Sequence, residues 1–309
     1  MVSALIITYN HEQYIAQAIE SVLMQQCDSP IEVVIGIDYC SDRTEQICHD
    51  YAERYPAIKL LTTDCRIGMM NNFLRTVNAC SGKYIAMLEG DDYWTANDKI
   101  QTQINFLERN PKFILCFHNR NQIQNDIISD KTLCDYGQEK HFTGAEVLFI
   151  KIHTLTVVFR NILKEHPYPE EFCQLPLYDF ALWAYLSLFG KFAYLDFNGA
   201  TYRLHANGYY SADETVSGYR KWLYCQRVIR RYFPENYQAA YNDFVLMLNF
   251  MITEELRSRN NNKRFYLDLL ELVVRSIKYG DHQYTKFYYS HYKTVTKKMI
   301  SKLFLSSPY

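Results

Sequence analysis

The sequence predicts an α/β fold: a mostly parallel sheet flanked by helices over residues 1–210, then an all-helical extension over 211–309. Three observations carry this. Four short apolar runs alternate with stretches of helical periodicity, each run ending in polar residues. The fourth run, Tyr84 to Leu88, stops in three carboxylates within four residues, Glu89, Asp91 and Asp92. From Tyr219 onward only helical spacing remains.

In chain order, residues 2–7 form a buried strand ending at Thr8-Tyr9-Asn10-His11, and residues 12–25 place Ile15, Ile19, Val22 and Leu23 at helical spacing. Pro30 breaks the chain before a second strand, Ile31 to Ile37, which ends at Asp38. Asp42 with Glu45 reads as a capping box opening a helix over 43–54. A third strand, Ile58 to Thr62, leads through Arg66-Ile67-Gly68 into a helix over 69–80. After the acidic stretch come a helix over 97–109 and a strand from Phe113 to His118. Residues 120–142 carry weak periodicity and read as a variable excursion. A strand from Thr154 to Phe159, a Pro-containing loop over 163–178 and a helix over 180–188 follow, then strands 192–197 and 200–204. The extension reads as helices over 215–232, 236–257, 263–278 and 283–303.

Short connections and right-handed crossovers gather the strand-end residues on one edge of the sheet, where ligands of open α/β sheets bind. Three adjacent acids repel one another, so they need solvent or a cation. Hard oxygen ligands in that place suit Mg²⁺ or Mn²⁺ shared with substrate phosphates, and an acidic surface turn is the plain alternative. Asp38 reads either as an acceptor for the ring N–H of a pyrimidine, flanked by Thr8 and Tyr9, or as a helix-capping acid.

Formal net charge is −1, which speaks against a nucleic-acid partner. Nine cysteines lie scattered without any C-x-x-C, which fits a reducing compartment rather than a disulfide scaffold or zinc site. The first residues run into a strand without a basic leader, and no apolar run approaches the length of a membrane span. A cytoplasmic location is therefore expected. Without a glycine among Thr8-Tyr9-Asn10-His11, a phosphate-loop nucleotidyltransferase is disfavoured, and no G-x-G-x-x-G follows a strand to suggest a dehydrogenase.

Four motifs occur in order: Ile7-Thr8-Tyr9-Asn10; Ile35-Gly36-Ile37-Asp38 through Thr44; Arg66-Ile67-Gly68-Met69; and Ser81-Gly82-Lys83-Tyr84-Ile85-Ala86 with Glu89-Gly90-Asp91-Asp92. Over residues 2–210 this resembles the inverting family 2 glycosyltransferases of GT-A fold, of the bacterial surface-polysaccharide type. The resemblance implies a metal-dependent transfer of sugar from a nucleoside diphosphate donor, most naturally UDP-linked, to the hydroxyl of a glycan or lipid-linked acceptor. It places Thr8, Tyr9, Asp38 and Arg66 at the nucleoside. Glu89 and Asp91 stand at the family's Asp-x-Asp metal motif, with Asp92 in support or toward ribose. Two departures are visible, Glu at the first motif position and Ile37 in place of a frequent acid.

The segment Leu175 to Trp183 resembles the one that carries the family's catalytic base, which assigns Asp179; a helix cap is the alternative. Thr201-Tyr202-Arg203-Leu204-His205 resembles a later motif. It implies that Arg203 approaches the diphosphate and that His205 completes the metal shell, with a structural ion pair the alternative for Arg203. A binding protein that keeps the fold without turnover is the competing reading. Beyond Arg257, basic residues interleave with Phe287, Tyr288, Tyr289 and Tyr292, a pattern that fits peripheral docking on the anionic inner face of the cell membrane, with a helical bundle or homodimer contact as the alternative.

Overall fold

The structure is a computed structural model and describes residues 1–125, 127–129, 136, 138–205, 208 and 216–235. The chain separates into two compact units, Met1–Ala212 and Asp213–Tyr309.

In the first unit, strands β1 (Val2–Thr8), β2 (Ile31–Ile37), β3 (Ile58–Leu61) and β4 (Tyr84–Glu89) run parallel, joined by helices α1 (Ile15–Leu23), α2 (Thr44–Arg54) and α3 (Met69–Ala79). A short strand β5 (Tyr93–Trp94) precedes α4 (Lys99–Arg109). There follow β6 (Phe113–Gln124), β7 (Ile127–Ser129), β8 (Lys140–Phe142), β9 (Val158–Arg160), α5 (Tyr178–Leu186) and β10 (Lys191–Leu204). All belong to one ten-stranded sheet, ordered β3-β2-β1-β4-β9-β6-β10-β5, with β7 on β6 and β8 on β10.

The apolar runs form strands because both faces of this sheet are covered: every residue of β1 is buried. One side takes the Ile15, Ala18, Ile19 and Val22 stripe of α1. Strand order reverses at β1, which lies between β2 and β4. The register sets Ile7 beside Gly36 and Glu89, so the carboxyl ends of three strands finish level at this switch point. In open α/β sheets such a switch point is where ligands bind.

The second half of the sheet departs from the sequence expectation. Residues 154–156 turn as a short 3-10 segment, because Thr156 N–H and its hydroxyl both return to the His153 carbonyl; only Val158–Arg160 is extended, and it runs antiparallel to β4 and β6. The excursion at 120–142 begins as strand: β6 continues to Gln124 because β10 pairs alongside it, Arg120 against Ala200 and Gln124 against Leu204. Asn125, at φ 49°, then turns the chain into β7. The two expected strands 192–197 and 200–204 are one, with register shifts around Asn198. The Asp42–Glu45 capping box is not formed. Asp42 instead accepts the N–H groups of Thr44 and Glu12, at 3.0 Å each.

In the second unit α6 spans Val216–Ile229, close to the expected 215–232. The helices expected over 236–257, 263–278 and 283–303 lie outside the described residues, as does the surface proposed for membrane or dimer contact. Among the described residues no helix is long and apolar enough to cross a membrane.

Candidate active site

At the tip of β4 the chain must turn within touching distance of β1. Gly90 N–H continues the ladder to the Ile7 carbonyl at 2.9 Å, and a β-carbon at residue 90 would lie 2.5 Å from Thr8 Oγ1 and 2.9 Å from His11 Nδ1. Only glycine fits this close approach. The turn separates the three acids into different surroundings.

Asp91 faces two imidazoles: its Oδ2 lies 3.0 Å from His205 Nε2 and 3.7 Å from His11 Nε2. Burial pushes its carboxyl upward, but the His205 hydrogen bond and the nearness of His11 outweigh burial and hold it below the ordinary range. His11 is itself lowered, chiefly by burial. Its Nδ1 lies 3.2 Å from Thr8 Oγ1, which fixes the ring.

Asp92 is buried, and its Oδ1 accepts the backbone N–H of Arg203 at 2.7 Å. Burial first, and then the Asp91 and Glu89 charges, push its carboxyl well up, with Arg120 opposing. Asp92 thus ties β10 to the acidic turn. The Arg203 guanidinium donates to the Asp91 carbonyl at 2.8 Å and to Gln17 Oε1 at 2.6 Å, between the rings of Tyr14 and Tyr93. It braces the turn's backbone.

Glu89 points elsewhere. Its Oε1 accepts the hydroxyls of Tyr178 at 2.7 Å and Thr154 at 2.5 Å, while Oε2 is buried with no hydrogen bond. Burial raises its carboxyl to about 7, helped by the charges of Asp91 and Asp179. Asp179 stands in the first turn of α5, its Oδ1 accepting the Phe180 N–H at 2.7 Å.

A second group forms at the ends of β2 and β3. Asp38, only 3% exposed, accepts N–H groups from Tyr39 and Ile67 on Oδ1 and from Gly68 on Oδ2, each at 2.9 Å. Gly68 sits at φ 81°, a conformation that glycine adopts without strain. The carboxylate therefore anchors the Arg66 loop, which brings the Arg66 guanidinium 4.5 Å above the ring of Tyr9. A latch holds this side to β1: His11 N–H donates to Thr44 Oγ1 at 2.7 Å, and Ser41 N–H to Asn10 Oδ1 at 2.8 Å. Asn10 adopts φ 54° to make it.

The sequence set Thr8, Tyr9, Asp38, Arg66, Asp92 and Arg203 at the nucleotide and Glu89, Asp91 and His205 at a metal; in the structure Asp91 meets His205 and Arg66 stacks on Tyr9, while Glu89 turns away to Tyr178 and Thr154. Residues the sequence reasoning passed over are His11, Thr154, Tyr178 and Arg120. His11 stood beside the first motif and was legible as a strand-end imidazole; the other three carried no local signal. His118 is buried in the core, lowered far below its usual range by burial.

For a divalent ion, Asp91 and His205 offer one oxygen and one nitrogen at adjoining positions, a donor pair that suits Mn²⁺. Among the described residues no three His, Cys, Asp or Glu side chains group to hold an ion alone. An ion here fits as one completed by substrate phosphates and water.

The architecture is that of a GT-A fold. Residues 3–166 match the model of glycosyl transferase family 2, and the chain belongs to that family. An uncharacterised protein of Mycobacterium bovis is 32% identical over 204 residues, 65% of this chain and 58% of its own length. An uncharacterised glycosyltransferase of Haemophilus influenzae is 24% identical over 232 residues, 67% and 66% of the two chains. The chain thus spans just over half the length of the mycobacterial relative. Among solved structures, Staphylococcus aureus TarS residues 1–349 with UDP-GlcNAc superposes with a TM-score of 0.64 at 16% identity, covering 88% of this chain and 79% of that one. The mannosyltransferase PcManGT of Pyrobaculum calidifontis, with GDP-Man and Mn²⁺, gives 0.57 at 13% identity, covering 99% and 88%. At such identities the likeness speaks for the fold.

Proposed function

We propose that this chain transfers a sugar, with inversion, from a nucleoside diphosphate donor to an acceptor hydroxyl, UDP being the favoured nucleotide. The observation that carries the reading is the pairing of Asp91 with His205 at the strand-order switch point, beside the Tyr9–Arg66 stack. Tyr9 and Arg66 offer flat faces to a base. Asp38 holds the loop beneath them and keeps one lone pair of Oδ2 for a ring N–H. Asp91 and His205 would hold Mn²⁺ or Mg²⁺, which when bound neutralises diphosphate charge. Asp179, at the start of α5, takes the proton of the attacking hydroxyl at its carboxylate. Asp92 and the Oε2 of Glu89 are buried beneath the turn.

The glycan or lipid-linked acceptor, a role in surface-polysaccharide assembly and docking on an anionic membrane belong to the same proposal and rest on the sequence. A second reading, a nucleotide-sugar-binding protein without turnover, is favoured by one observation: the first acid of the metal motif is taken up by Tyr178 and Thr154. One experiment separates the two. Melting temperature is measured with UDP, GDP and dTDP, each with and without Mn²⁺, alongside nucleotide release from UDP-GlcNAc, UDP-glucose and GDP-mannose. A metal-dependent rise with UDP, by mass action, plus nucleotide release supports the enzyme. A rise without release from any donor favours the binding protein, and no rise with any nucleotide sinks both.

A further inference from the structure

Resting on the reading of Asp179 as the base, we infer that Glu89 is a positioning residue for Asp179, acting through the hydroxyl of Tyr178 rather than through a metal ion. Glu89 is the last residue of β4, and Tyr178 is the first residue of α5 and the peptide neighbour of Asp179. Helix α5 starts without the usual fastening: the cap position is Leu177, and no side chain caps it. The Asp179 carboxylate is drawn onto the Phe180 N–H of its own first turn, so it travels with that turn.

What fixes the turn to the sheet is Tyr178. Its ring packs 5.0 Å from that of Phe73 on α3, and its hydroxyl donates to Glu89 Oε1 at 2.7 Å. Thr154 donates to the same oxygen from the other side, which leaves the carboxylate one orientation. Two residues beyond Glu89 the same turn carries Asp91. The link therefore sets the spacing between the group that takes the acceptor's proton and the group that faces the diphosphate. Displacements of about 1 Å in such spacings cost about 10²-fold in rate. Loss of one contact that holds the turn is expected to cost less, about tenfold.

The test is a double-mutant cycle on the full chain with Tyr178→Phe, Asp179→Asn and both together. The donor is whichever of UDP-GlcNAc, UDP-glucose, UDP-galactose and GDP-mannose releases nucleotide fastest, and UDP affinity with Mn²⁺ is read by calorimetry. Tyr178→Phe is expected to lower kcat about tenfold with UDP affinity within about twofold of the parent, and to add nothing on top of Asp179→Asn. Parent-like turnover of Tyr178→Phe beside a slow Asp179→Asn overturns the link and leaves the base assignment standing. Additive losses overturn the link as well. Parent-like turnover of Asp179→Asn removes the base assignment, and the link with it. A second pair guards against misfolding. Glu89→Gln keeps an acceptor for Tyr178 and is expected to turn over about fivefold faster than Glu89→Leu, with Mn²⁺ affinity unchanged in both. Equal losses with weakened Mn²⁺ binding in both overturn positioning in favour of direct ligation.

Discussion

Asp91 Oδ2 and His205 Nε2 lie 3.0 Å apart, across 114 residues of sequence, and so join the tip of β4 to the end of β10. The contact is made possible by Asp92, which holds the Arg203 backbone two residues before His205. One acid faces two imidazoles, and its neighbour fastens the strand that brings one of them.

This division predicts different outcomes at adjacent positions. Asp91→Asn is expected to abolish the Mn²⁺-dependent part of the UDP-induced melting shift while leaving the unliganded melting temperature nearly unchanged. Asp92→Ala is expected to lower the unliganded melting temperature, because a buried N–H of Arg203 loses its partner at a cost of about 1–3 kcal/mol. Differential scanning fluorimetry on both variants reads the contrast.

Asp179→Asn keeps the size of the side chain and an oxygen for the Phe180 N–H. Nucleotide release is expected to fall by about 10² or more, with UDP binding intact. Steady-state turnover together with UDP calorimetry checks this.

Much of the group at the ends of β1 to β3 was legible, because its residues sit at or near strand ends and buried parallel strands announce themselves as apolar runs. Thr8 and Asp38 stand at the very end of such a run, and Arg66 follows one after a short loop. The other side depends on contacts that no local pattern records. Tyr178 reaches Glu89 across 89 residues and Thr154 across 65, so a glutamate at a metal-motif position is claimed by two hydroxyls. Arg120 lies on a stretch of β6, Asn119 to Gln124, that is polar except for Ile123 and shows no apolar alternation; it is strand because β10, and from Gln122 also β7, pairs with it. The mutual repulsion of three acids was also readable, but part of it is answered from within, by the Arg120 charge toward Asp92 and by the His205 hydrogen bond to Asp91.

Gly90 is a packing requirement as well as a turn. Gly90→Ala places a methyl 2.5 Å from Thr8 Oγ1, which forces β1 and the acidic turn apart. A loss of about 1–3 kcal/mol is expected, read as a lower urea midpoint. Because the displaced atoms include Thr8 and His11, UDP binding with Mn²⁺ is expected to weaken in the same variant. At Gly68, where an added β-carbon would meet nothing within 4 Å, substitution would bring strain without that clash.

The last prediction concerns a charge in the core. Lys99 is fully buried, its Nζ 2.8 Å from Gln103 Oε1 and 4.2 Å above the Trp94 ring, with no ion pair to a carboxylate among the described residues. Burial lowers it from 10.5 to about 7. Between these values the unfolded chain carries a proton at this site that the folded chain has released. The group's contribution therefore makes the protein more stable as pH rises through that window, by about 1.4 kcal/mol per pH unit. Its penalty is full below pH 7 and gone above the unfolded value. Lys99→Met removes the titration at similar volume. Urea unfolding of both proteins at pH 7, 8 and 9 is expected to give a stability difference that shrinks steadily toward alkaline pH, in favour of the variant at pH 7. A difference independent of pH would mean that Lys99 keeps its proton in the folded core, held there by Gln103 and the face of Trp94.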